Sequence, residues 1–144
     1  MNNWNFPALS IRQPWAELIM QGRKTLEIRT WKTEYRGPIW IHAGLHVDEA
    51  LDARFGVRDL FRGGLIGVAE LKSVEPVDEI GWEAWRDRHL DFGPFKQGLF
   101  AWVLSDPKRL HSPVRTSGRT GLYPLDPQLL SRLSDPWTSD ELGQ

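Results

Sequence analysis

The stretch from Gln13 to Arg29 constrains the fold more than any other part of the chain. It reads as a short helix, a stop and a strand. Pro14 suits the first turn of a helix, where a backbone N–H has no partner to lose. Gly22 falls where a helix end takes a left-handed residue. Beyond it, Leu26 and Ile28 alternate with Glu27 and Arg29, the period-two pattern of a half-buried strand. A basic turn therefore launches a strand that presents Glu27 and Arg29 on one face, a geometry suited to a polar, anionic, planar ligand.

Around this segment the chain alternates strands and helices irregularly. Leu9–Ile11 is expected as a short first strand, and the strand after Gly22 should run from Thr25 to Trp31. Tyr35-Arg36-Gly37-Pro38 is a turn. Ile39–His42 follows as a strand, with Ile39 and Ile41 on one face and Trp40 and His42 on the other. Val47–Phe61 reads as a helix whose apolar stripe is Ala50, Leu51, Phe55 and Leu60, weakened by Gly56. Gly64–Val77 is a long strand, and Ile80–Leu90 a tryptophan-rich helix with Trp82, Trp85 and His89 at helical spacing. Asp91–Pro94 is a turn, and Leu99–Leu104 a compact strand stopped by Pro107. Val114–Leu125 reads as a glycine-rich loop closed by a short strand at Gly121-Leu122-Tyr123, before a helix from Gln128 to Leu133. Strands outnumber helices without a βαβα alternation, which disfavours a doubly wound parallel sheet. The expected class is α+β: a small, mostly antiparallel β-barrel with helices packed outside.

At 144 residues the chain can bury a core as one domain, expected over 1–126, with an extension over 127–144 that is partly peripheral. There is no cysteine, which excludes disulfides and thiolate metal sites. The N-terminus lacks the basic and apolar regions of a signal peptide, and no apolar run reaches the roughly 20 residues of a membrane span. A cytoplasmic protein with no membrane partner is the expectation. The net charge of −1 does not advertise a nucleic-acid binder, but its distribution is uneven. Residues 1–36 hold six basic against three acidic side chains, and 106–123 hold four against one, flanking an acidic middle. Brought together, these segments would make a local basic patch. Eight tryptophans supply core mass and, at one or two positions, a stacking surface for bases.

Several chemistries find no support. Gly63-Gly64-Leu65-Ile66-Gly67 does not open a helix and is no phosphate loop. His42 and His46 lie close in sequence but on a strand running into a loop, so no metal site is expected, and no cofactor. Lys24 and Glu27 lie three apart and would face opposite ways on a regular strand, unless Lys24 swings over from the turn. Two readings stay open. Glu27 and Arg29 could form an ordinary surface ion pair worth about 0–1 kcal/mol. Alternatively, Lys24 and Arg29 could grip a phosphate or carbonyl while Glu27 accepts from an exocyclic amine.

Taken together these residues resemble the ASCH domain, a branch of the PUA-like superfamily. Leu9-Ser10-Ile11-Arg12-Gln13-Pro14-Trp15-Ala16 is similar to the family's opening motif, and Gly22-Arg23-Lys24-Thr25-Leu26-Glu27-Ile28-Arg29 to its Gly-x-Lys-Thr-x-Glu-x-Arg signature. Trp31-Lys32-Thr33, Arg36-Gly37, Ile41-His42-Ala43, Gly67-Val68-Ala69, Phe100–Leu104 and Gly118–Leu122 continue it in order, so the resemblance covers about residues 8–125. It implies a PUA-type barrel whose cleft binds RNA, another nucleic acid or a nucleoside. Carried over, the cleft residues are Lys24, Glu27 and Arg29, with Gln13, Trp15, Lys32 and His42 as neighbours. Apart from the resemblance, the second basic segment suggests that Arg115 and Arg119 complete a phosphate-binding rim. One enzymatic subgroup hydrolyses N4-acetylcytidine with a lysine and a threonine three residues later, and ribonuclease activity is attributed to other members. Lys24 stands at that lysine position but Glu27 at the threonine position, and a carboxylate does not replace an activated hydroxyl. The resemblance thus implies recognition first. A small hydrolase acting on N4-acylated cytidine or single-stranded RNA, with Lys24 and Glu27 as its acid–base pair, is the alternative. A protein-interaction surface on the tryptophan-rich helix ranks third.

Overall fold

The structure, a computed structural model, describes residues 4–133. The first three residues of the N-terminus and the expected peripheral tail, Ser134 to Gln144, lie outside the described residues. The elements in chain order are β1 (Ala8–Ile11), α1 (Trp15–Met20), β2 (Leu26–Arg29), β3 (Gly37–Ala43), α2 (Glu49–Arg54), β4 (Gly64–Val77), α3 (Glu79–Ala84), α4 (Arg86–His89), β5 (Leu99–Arg115), β6 (Leu122–Tyr123) and α5 (Pro127–Arg132). Six strands form one sheet in the order β2-β5-β4-β3-β1-β6. Only β1 and β3 pair in parallel. This is the expected α+β class: a mostly antiparallel, curled half-barrel with short helices around it. No helix among the described residues is long and apolar enough to cross a membrane.

The curl comes from β4 and β5. Their pairing shifts register between Leu65 and Gly67, between Val68 and Glu70, and between Leu71 and Ser73. The first leaves three extra residues on β5, the second one on β5 and the third one on β4, and such irregularities bend the pair and tighten its twist. One of them corrects the expectation that Pro107 ends the strand. Ser105 pairs with Glu70 and Lys108 with Val68, so β5 spends one residue more than β4 across Asp106-Pro107. Asp106 takes the left-handed conformation (φ 53°), Pro107 falls in the bulge where no ladder N–H is needed, and the strand continues to Arg115.

The helix expected over Val47–Phe61 is also shorter. Asp48 caps α2 by accepting from the Leu51 N–H at 3.0 Å. The helix stops at Gly56 (φ 72°), whose N–H reaches the Ala53 carbonyl while the Val57 N–H reaches that of Asp52. That pair of bonds is a Schellman motif, and it terminates the helix before Leu60. The buried residue of α2 is Asp52, not the expected apolar stripe; Ala50 is exposed. The helix expected over Ile80–Leu90 breaks at Trp85 into α3 and α4.

The alternating faces of the strands build separate cores. Leu9, Ile11, Ile39, Ile41, Leu71, Trp102 and Leu104 pack with Ala16, Ile19 and Met20 of α1. On the opposite face Ala8, Trp40, Leu65 and Tyr123 pack with Leu125, Leu129 and Leu133, so tight packing continues through α5. A third cluster joins Leu26 and Ala101 to Val77 and Trp82. Trp82 and His89 are buried and stacked at 4.0 Å, so neither offers a contact surface, while Trp85 is half-buried against the third cluster and Ile80 is exposed.

Candidate functional site

The end of α1 sets the geometry of the site. Gly22 has φ 77°; its N–H bonds to the Ile19 carbonyl and the Arg23 N–H to that of Leu18. This is a second Schellman motif, as the glycine signal predicts. The Lys24 N–H shares the same Leu18 carbonyl at 3.1 Å, which pins the backbone of Lys24 against α1. Thr25 then donates to the Arg88 carbonyl, and its own carbonyl accepts from Leu104. The strand proper starts only at Leu26, so Lys24 is free of the strand's alternation.

Its side chain does swing over. Lys24 Nζ donates to the His89 carbonyl at 2.6 Å and lies 3.8 Å from Glu27 Oε1, with the Trp15 ring centroid 4.8 Å away. Glu27 Oε2 accepts from Arg29 Nη1 at 2.9 Å, and the same guanidinium nitrogen contacts the Ser10 carbonyl at 3.4 Å. Arg29 lies 5.8 Å from the Trp31 ring centroid. The result is a continuous ionic chain, Lys24–Glu27–Arg29, with a tryptophan at each end. Leu26 and Ile28 point to the third core, while Glu27 and Arg29 share the face of their cross-strand partners Trp102 and Phe100.

Burial grades along this chain. The Lys24 side chain is 4% exposed and that of Glu27 8%, whereas that of Arg29 is 22% exposed. Burial pushes the Lys24 ammonium below the ordinary lysine range, opposed by the negative charges of Glu27 and Asp91. His89, which supplies the carbonyl, is likewise pushed down by burial. Its Nδ1 accepts from the Asp91 N–H and its Nε2 meets the Trp82 carbonyl, an arrangement that requires the neutral ring protonated at Nε2.

The other sequence-predicted residues divide into structural and accessible groups. Gln13 is buried and held at both ends: its amide donates to the Phe61 carbonyl at 2.9 Å and accepts from the Glu17 N–H at 2.8 Å. Trp15 starts an aromatic run, edge-on to Phe55, which stacks on Phe92; Arg54 lies over Phe92 at 3.7 Å. Lys32 and Arg119 are exposed. Arg115 goes elsewhere, over Phe61 and toward the Arg62 carbonyl.

His42 is buried in a network that sequence reading missed. Ser10 pairs with it across β1 and β3, and Ser10 Oγ lies 3.2 Å from His42 Nδ1. His42 Nε2 meets the Thr116 carbonyl at 2.7 Å, and the Tyr123 hydroxyl lies 3.2 Å from Ser10 Oγ. Since a carbonyl only accepts, Nε2 carries a proton; in the neutral ring Nδ1 then accepts from Ser10, and Ser10 accepts from Tyr123. The backbone of Arg119 bonds to the Tyr123 oxygen. A side chain at Gly118 would press into Ser10 Oγ and sit 2.8 Å from His42 Cε1. The glycine-rich loop is thus clasped to the sheet beside Arg29. The available signal was Ser10, the one polar residue between buried Leu9 and Ile11.

Comparison with known proteins places this geometry. The ASCH domain profile matches residues 9–113. Activating signal cointegrator 1 of Homo sapiens is 24% identical, covering 84% of this chain and 22% of its own length; the Mus musculus protein of that name gives the same figures. The chain therefore spans about a fifth of those relatives. Among solved structures, ASCH from Zymomonas mobilis superposes with a TM-score of 0.63 at 18% identity, covering 88% of this chain and 92% of that one. A single-substitution variant of the same protein gives 0.61 at 19% identity, covering 88% and 94%. At that identity the likeness speaks for the fold. With the profile spanning most of its length, the chain belongs to the ASCH domain family of the PUA-like superfamily.

Proposed function

We propose that this chain binds nucleic acid, as single-stranded RNA or a modified nucleoside, on a surface centred on Arg29. The observation that carries the reading is the graded ionic chain. Lys24 and Glu27 are buried and satisfied by protein, and Arg29 is the member that solvent reaches. Glu27 holds the guanidinium in place, which lowers the ordering cost of a contact to phosphate or to a base edge. Trp31 lies beside it as an apolar, base-sized surface, and exposed Lys32 lies next along the chain. Arg119 is tied to the same neighbourhood through Tyr123 and Ser10. In this reading Lys24 does not touch phosphate; it supports Glu27 from behind.

Labelled single-stranded RNA should bind at low salt and weaken as salt rises, with affinity falling linearly on logarithmic axes. Absence of binding at low salt, to RNA and to modified nucleosides alike, would sink the proposal.

One observation favours a second reading. A buried lysine whose pKa is pushed down beside a carboxylate has the makings of a general base. Turnover of N4-acetylcytidine or of single-stranded RNA, abolished by Lys24→Met, would establish a hydrolase. Turnover unaffected by Lys24→Met and Glu27→Gln would assign the activity elsewhere.

A further inference from the structure

We propose a second binding site, for an organic cation bearing N–H donors, in the cavity between α2 and the segment that follows it. The cavity has a volume of about 440 Å³ and is lined by Asp52 with Glu49, Ala53, Arg58, Asp59 and Arg62. Its key group is Asp52, whose side chain is 8% exposed. Oδ2 accepts from Arg62 Nη2 at 2.9 Å. Oδ1 is buried, and no protein group among the described residues donates to it. An ionised carboxylate accepts on both oxygens, and Asp52 lines the cavity, so a donor entering there meets a carboxylate with acceptor capacity to spare.

Charge selects the donor. Arg62 is committed to Asp52 and, through Nε, to the His46 carbonyl at 2.9 Å. Among the described residues Glu49, Asp59 and Arg58 have no ion pair, which leaves two carboxylates against one guanidinium around the rim. An entering group meets the Asp52 carboxylate and a net negative wall. A guanidinium or a primary ammonium satisfies both, and a guanidinium offers several donors in one plane. Val47, Val57 and Leu60 also line the cavity and would take the ligand's aliphatic stem. The site is separate from Arg29 and does not rest on the nucleic-acid reading.

Two sources could supply such a group, a free amine or an arginine side chain of a partner. Calorimetric or NMR titration of the full chain with agmatine and with N-acetylarginine amide distinguishes them, with inorganic phosphate as the anionic control. Saturable binding of agmatine alone assigns a free amine, and binding of both assigns a side-chain pocket. Asp52→Asn, which removes the charge and keeps the shape, should weaken binding at least about tenfold. Should that variant not fold, Ala53→Leu carries the test, since Ala53 is an exposed lining residue where a larger side chain takes up cavity space. No saturation by either cation, preferential binding of phosphate, or unchanged affinity in Ala53→Leu would overturn the proposal.

Discussion

Lys24 shows how one position can satisfy a family signature while serving a role different from the obvious one. A lysine in a basic turn suggests a charge offered to solvent. Here it is 4% exposed, with a carbonyl 2.6 Å away on one side and Glu27 on the other. A buried charge costs desolvation energy that good partners only partly offset. Because folding lowers its pKa, the unfolded chain binds more protons than the native one as pH approaches the ordinary lysine value, and stability gains from rising pH. The sign is fixed: the cost is full below the folded pKa and is relieved as pH rises through it. Denaturant titration of wild type and Lys24→Met from about pH 7 to about pH 10 should therefore show the difference shifting toward the wild type. A pH-independent difference would mean that Lys24 is not strained by burial.

At the scale of elements, the end of α1 aims the site. Gly22 has open space where a side chain would go, so its requirement is purely its φ of 77°. Gly22→Ala should cost about 1–2 kcal/mol in chemical denaturation through left-handed backbone strain alone. Gly118 is the opposite case: its φ is unremarkable, but a methyl group there meets Ser10 and His42. Gly118→Ala should cost about 1–3 kcal/mol by overpacking, and a melt indistinguishable from wild type would show that the loop is not clasped there. This contrast also shows what the sequence could disclose. Gly22 was legible because helix caps have local chemistry. The Ser10–His42–Thr116–Tyr123 network was not, since it joins residues up to 113 positions apart. The run of β5 past Pro107 was hidden for a related reason. Proline normally ends a central strand, and only the register against β4 reveals the bulge that accommodates it. Asp52 escaped notice because an acid on a short helix reads as solvent-facing, and its burial depends on Arg62 ten residues away.

For the whole molecule, one sheet serves two faces: α1 covers one side and α5 with the segment before it covers the other. Leu129 is 3% exposed among Trp40, Leu65 and Tyr123, so Leu129→Ala should lose about 2–5 kcal/mol, as deletion of a core leucine does. A much smaller loss would make α5 an accessory to the fold. The α+β class and the mostly antiparallel pairing follow from patterning that the sequence displays; the strand order β2-β5-β4-β3-β1-β6 does not. What patterning does not display is which charges end up inside. The ionic chain reaches solvent through Arg29, which puts the proposed binding surface at the sheet's β2 edge. The decisive measurement is single-stranded RNA affinity against salt for wild type and Arg29→Ala. Arg29→Ala should weaken binding and make the logarithmic salt slope shallower by about 0.7, the loss of one phosphate contact to a single strand. Unchanged affinity and slope in a folded Arg29→Ala protein would contradict a nucleic-acid surface centred on Arg29.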